Sequence, residues 1–80
     1  MLTDALGGRK DPGSMDDDEL LRTENDYVTW TASSLGPAFT DLQAKSFDPK
    51  TVEQDLEVAL SRFRYAMACR AERKRRTGSG

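Results

Sequence analysis

The sequence has no histidine and a single cysteine, Cys69. One thiol excludes an internal disulfide, and a thiol without any imidazole excludes the Cys-His arrangement that activates most cysteine nucleophiles. The same shortage leaves zinc one sulfur and only carboxylates, a donor set that structural zinc sites do not use. No acidic stretch carries the spacing and central glycine of a calcium-binding loop. Glycine-rich phosphate loops and Ser-His-Asp sets are missing as well. Nor is there a run of about 18 apolar residues that could span a bilayer. These absences lead us to expect a protein without catalytic activity, metal or cofactor, with no membrane segment, in a reducing intracellular compartment, cytoplasmic or nuclear.

What is present is short and strongly charged: 80 residues, 32% of them Asp, Glu, Lys or Arg. The opening "MLTDALGGRKDPGSM" holds three glycines, a proline and a methionine directly after Gly-Ser. It reads as a tag or disordered leader over residues 1–14, with Met15 as the expected native start. The closing "TGSG" reads as a disordered tail over residues 77–80. A single helical domain is expected between them, over residues 15–76. At this size a core supplies only about 3–5 kcal/mol of net stability. With no disulfide or metal to add to it, self-association or a protein partner is the remaining source.

The formal net charge of −2 conceals a segregation. Residues 16–26 hold six acids against Arg22, a net of −5, whereas residues 62–76 hold seven bases against Glu72, a net of +6. Acids at the start of a helix and bases at its end both complement the helix dipole. Ser14 is a cap candidate ahead of "DDDELL", and a stripe of Leu21, Val28, Ala32 and Leu35 at helical spacing, flanked by Leu20 and Tyr27, predicts a helix from about Asp17 to Ser34. Gly36-Pro37 predicts its end, and "PAFTDLQAKS" a short second helix with Ala38, Phe39 and Leu42 on one face.

Asp48-Pro49 is a stronger start signal, with Asp as cap and Pro as first residue. From there Val52, Leu56, Ala59, Leu60, Phe63, Ala66 and Met67 share about 120° of arc, the best amphipathic pattern in the chain. At Arg70, Arg73 and Lys74 the stripe turns basic. Parallel packing would set the acidic beginnings of both long helices side by side, so antiparallel packing is expected. The predicted architecture is all-α: a small bundle of two long antiparallel helices with a short connecting helix.

Three features bear on function. "RAERKRR", residues 70–76, offers Arg70, Arg73, Lys74, Arg75 and Arg76 to phosphates or to a nuclear import receptor, yet the same residues also suit a solvated helix end. No Asn or Gln after Gln54 accompanies them to read base edges. Trp30 falls opposite Leu21 on the first helix, where it either meets Phe39 and Leu42 of a folded-back short helix or anchors a partner. On the last helix Val58, Tyr65 and Cys69 form a second apolar stripe, with Arg62 between it and the first. Two apolar stripes on one helix call for two neighbours. The expected function is therefore a non-enzymatic helical protein–protein interaction module, adaptor or regulatory, meeting a protein partner or its own copy as a dimer through Tyr27, Trp30, Val58, Arg62, Tyr65 and Cys69. The alternative is a nucleic-acid-binding protein that uses the basic helix end.

Overall fold

The computed structural model describes residues 9–78; the rest of the expected leader and the last two residues of the expected tail lie outside them. The described chain is a helical hairpin. A single 3-10 turn at Pro12–Ser14 precedes two α-helices of 28 residues each, α1 over Asp17–Ala44 and α2 over Pro49–Arg76. At 1.5 Å per residue each helix is about 42 Å long. They run antiparallel, so the start of α1 lies beside the end of α2, as the Arg76–Asp17 and Arg73–Glu24 pairs demonstrate.

The local signals explain the ends. The cap of α1 is Asp16, whose Oδ1 accepts from the Glu19 amide at 2.7 Å. Ser14, the cap expected from sequence, instead donates its hydroxyl to the Asp11 carbonyl at 2.7 Å. Met15 and Leu20 flank the cap at the positions of a hydrophobic staple, and both sit in the core cluster with Tyr65 and Cys69. Pro49 opens α2 as predicted, and the Asp48 side chain accepts from the Thr51 hydroxyl at 2.8 Å. Between the helices Lys45 takes a left-handed conformation, φ 58°, and returns its amide to the Leu42 carbonyl at 3.2 Å.

The predicted break at Gly36-Pro37 does not occur. The segment expected to form a short connecting helix is helical but continuous with the first, and Pro37 lies inside α1. A proline there removes one amide from the ladder, leaving the Ser33 carbonyl without its usual donor, and its ring crowds the preceding turn. Gly36 relieves part of this, because the clash that pushes a pre-proline residue out of the helical region involves its Cβ, and glycine has none. Tertiary contacts do the rest. Ala38, just past the proline, is buried against α2. Arg62 reaches across from α2 to the Ser34 hydroxyl at 2.6 Å and the Trp30 carbonyl at 3.2 Å, clasping the turn before the proline.

The core is narrow. Its buried members are Met15, Leu20, Ala38, Val52, Ala59, Tyr65, Ala66 and Cys69, so alanine and cysteine line much of the line of closest approach. Residues 9–15, most of which sequence assigned to a leader, pack on one side of this seam. Pro12 and Met15 are buried, the Tyr65 hydroxyl donates to the Lys10 carbonyl, and Arg9 donates to the Ser61 carbonyl at 3.1 Å.

Candidate docking faces

A two-helix hairpin has two broad faces, and the chain treats them differently. On one, the segment from Arg9 to Met15 lies across the seam. Beneath it Tyr27 meets Tyr65 edge to face at 4.7 Å between ring centroids and Trp30 at 4.8 Å. The Arg9 guanidinium sits 5.1 Å from the Tyr27 ring centre and 5.3 Å from that of Tyr65, within cation–π range. Burial pushes the Tyr65 phenol up to about 12, with smaller contributions from Cys69 and Tyr27. The Cys69 thiol is also raised, chiefly by burial and then by the Glu24 charge.

Among the described residues the opposite face carries no such cover. Leu21, Val28 and Leu35 on α1 and Leu56, Leu60 and Phe63 on α2 are each 41–47% exposed. At 100° per residue the first three fall within about 40° of one another on α1, and the second three within about 60° on α2. These are the residues that periodicity assigned to the core. Between them runs an open groove of about 280 Å³, lined by Thr31, Leu35, Leu56, Ala59, Leu60 and Phe63. Beyond the proline Phe39 and Leu42 extend the row, both exposed.

The buried face of α2 therefore lies between the two stripes. It takes Val52, Ala59 and Ala66 from the primary stripe and Tyr65 and Cys69 from the secondary one, while Leu56, Leu60 and Phe63 of the first and Val58 of the second face solvent. The reason is geometric. A single neighbouring helix covers only a fraction of a 120° arc, and close approach is available where the side chains are small, at Ala59, Ala66 and Cys69. The covering segment then fills the flank on which Tyr65 lies. Its only traces in the sequence are the Pro12-Gly13 turn, the staple pair Met15 and Leu20, and the Asp16-x-x-Glu19 spacing of a capping box.

Of the residues expected to meet a partner, Tyr65 and Cys69 are thus buried within the chain's own core, and Tyr27 is half-buried against them. Arg62 is occupied in clasping α1. Trp30 and Val58 remain exposed, at 44% and 46%. Trp30 does not meet Phe39 or Leu42 by a fold-back, because the helix carrying all three never turns.

The basic end is largely spoken for inside the chain. Arg73 grips the buried Glu24 carboxylate through Nε at 2.9 Å and a terminal nitrogen at 2.5 Å. Arg76 pairs with Asp17 at 3.0 Å and with Glu72 at 2.8 Å, and also donates to the carbonyls of Pro12 and Gly13. Arg75 pairs with Glu72, whose carboxyl is held down at about 2 by hydrogen bonds from Arg75 and then Arg76. Only Arg70 and Lys74 of the five are exposed with no ion pair. Among the described residues there is no cluster of acids and thiols that could hold a metal ion, and no helix long and apolar enough to cross a membrane.

Comparison with protein-family models, with curated proteins and with solved structures finds no match.

Proposed function

We propose that this chain is a non-enzymatic protein–protein interaction module, adaptor or regulatory, whose docking surface is the uncovered aliphatic face. The observation that carries this reading is the alignment of Leu21, Val28, Leu35, Leu56, Leu60 and Phe63 on one side of the hairpin, all about half exposed. Isolated apolar side chains on a surface need no explanation, but a contiguous row flanking a groove is what interaction surfaces present. Helical partners suit it, since the ridges of another amphipathic helix fit a groove between two parallel rows of side chains. The nucleic-acid alternative draws less support, because three of its five cations are committed to Glu24, Asp17 and Glu72.

A photo-cross-linking residue placed at Leu60 and, separately, at Tyr65 tests the reading in cells. The expected result is a discrete protein adduct from position 60 that disappears when Phe63→Asp is added, and none from position 65. Adducts from neither position, or equal adducts from both, would count against a docking face.

A further inference from the structure

We infer that the occupant of the aliphatic face is a second copy of this chain, packed antiparallel to the first to complete a four-helix bundle. This rests on the docking reading and adds the partner and its orientation to it.

Area and charge lead to this partner. The aliphatic row runs from Leu21 to Leu42 on α1, about 32 Å, and two helices with axes 8–10 Å apart present a strip about 20 Å wide, so its outline is about 640 Å². That lies at the lower end of what each partner contributes to a stable interface of ordinary size, about 600–1,000 Å². Because residues 9–15 lie across the other broad face, two hairpins joined by their bare faces bury both aliphatic rows and leave Trp30, Val58 and the loop's Phe47 outside the contact. A two-fold pairing of this kind closes at two copies.

Charge sets the orientation. Residues 9–30 and 62–78, the terminal half of the hairpin, carry ten bases and eight acids, a net of +2. Residues 31–61, the loop half, carry Lys45 and Lys50 against Asp41, Asp48, Glu53, Asp55 and Glu57, a net of −3. Stacking two hairpins with their loops at the same end opposes like charge at both ends. Reversing one sets each terminal half against the other copy's loop half. Arg70 and Lys74, the two cations of the basic run that are exposed without an ion pair, continue the line of the aliphatic stripe on α2, so the reversed copy brings its acidic half toward them. Phe63, near the middle of α2, then falls close to the two-fold axis.

Sedimentation equilibrium on the full chain tests this, with Phe63→Glu and the double variant Arg70→Glu, Lys74→Glu as probes. The native chain should sediment as a dimer, and Phe63→Glu as a monomer of unchanged helical circular dichroism. The charge variant should dimerise at least tenfold more weakly in low salt, with the difference narrowing in 1 M salt, where screening is nearly complete beyond about 3 Å. A native chain that stays monomeric up to about 1 mM overturns the second copy as partner. Binding of the dye ANS by that monomer, lost in Phe63→Glu, would leave the docking reading standing for a foreign partner, whereas no dye binding would sink both. A dimer that persists in Phe63→Glu overturns the inference too, and a charge variant that dimerises like the native chain in low salt overturns the antiparallel order.

Discussion

Replacing Leu20 by Ala and, separately, Leu60 by Ala tests which apolar residues form the core. The substitution deletes the same three carbons at both sites. Leu20 is 0% exposed and packed with Met15, Tyr65 and Cys69, whereas Leu60 is 47% exposed. At about 0.8 kcal/mol per buried carbon the transfer loss at Leu20 is about 2.4 kcal/mol, and the unfilled space brings it to about 3 kcal/mol. At Leu60 half of that surface is already in water and no closed cavity forms, so the loss within one hairpin is about 1 kcal/mol. For a domain this small each kcal/mol moves Tm by about 4–8 °C, so the two variants should differ by roughly 8–16 °C. Urea titrations followed by circular dichroism at several protein concentrations provide the assay. The Leu20→Ala cost should appear undiminished in the most dilute samples, while the Leu60→Ala cost should grow with concentration, because in the proposed dimer the rest of its contribution comes from association. If Leu60→Ala costs as much as Leu20→Ala at the lowest concentration, the aliphatic face is closed within one chain and the reasoning fails.

Three further outcomes come from particular residues. Pro37→Ala should stabilise the hairpin by about 2–3 kcal/mol, since it restores the amide donor for the Ser33 carbonyl and removes the ring from the helix interior; a neutral or destabilising result in thermal melts would show that Pro37 opens a separate helix. The Tyr65 phenol is raised from 10.0 to about 12 in the folded chain, so it contributes stability in full below pH 10 that is lost as pH rises toward 12. Tyr65→Phe should flatten the stability curve across that window in urea titrations, and an unaltered slope would contradict the burial. At the acid end the sign reverses: Glu72 is lowered from 4.5 to about 2, so its contribution is complete above pH 4.5 and fades as pH falls toward 2.

Helix type and the first residue of each long helix were legible because they depend on neighbours in sequence. Asp48-Pro49 starts α2 by fixing φ and dispensing with an amide that the first turn does not use. The opposite charges at residues 16–26 and 62–76 set the antiparallel order, and the Arg76–Asp17 pair lies where they meet. Gly36-Pro37 misled because a stop signal is only a local preference. The burial of Ala38 and the Arg62 clasp act on the same residues from 28 or more positions away. Burial was read less well. Trp30 and Val58 are at the surface and Tyr65 and Cys69 inside, because periodicity states that two stripes exist without stating which part of each a neighbour will cover.

The sequence by itself determined an all-helical chain, where both long helices start, where α2 ends to within a turn, and their opposed directions, since helical spacing, caps and charge are properties of the chain taken residue by residue. Only the tertiary structure decided that α1 runs on through Pro37, which part of each stripe turns inward and which face remains bare. That choice belongs to the closest fit between two surfaces, small side chains at Ala59, Ala66 and Cys69 against Leu20 and Ala38, and to residues 9–15 crossing one face and not the other.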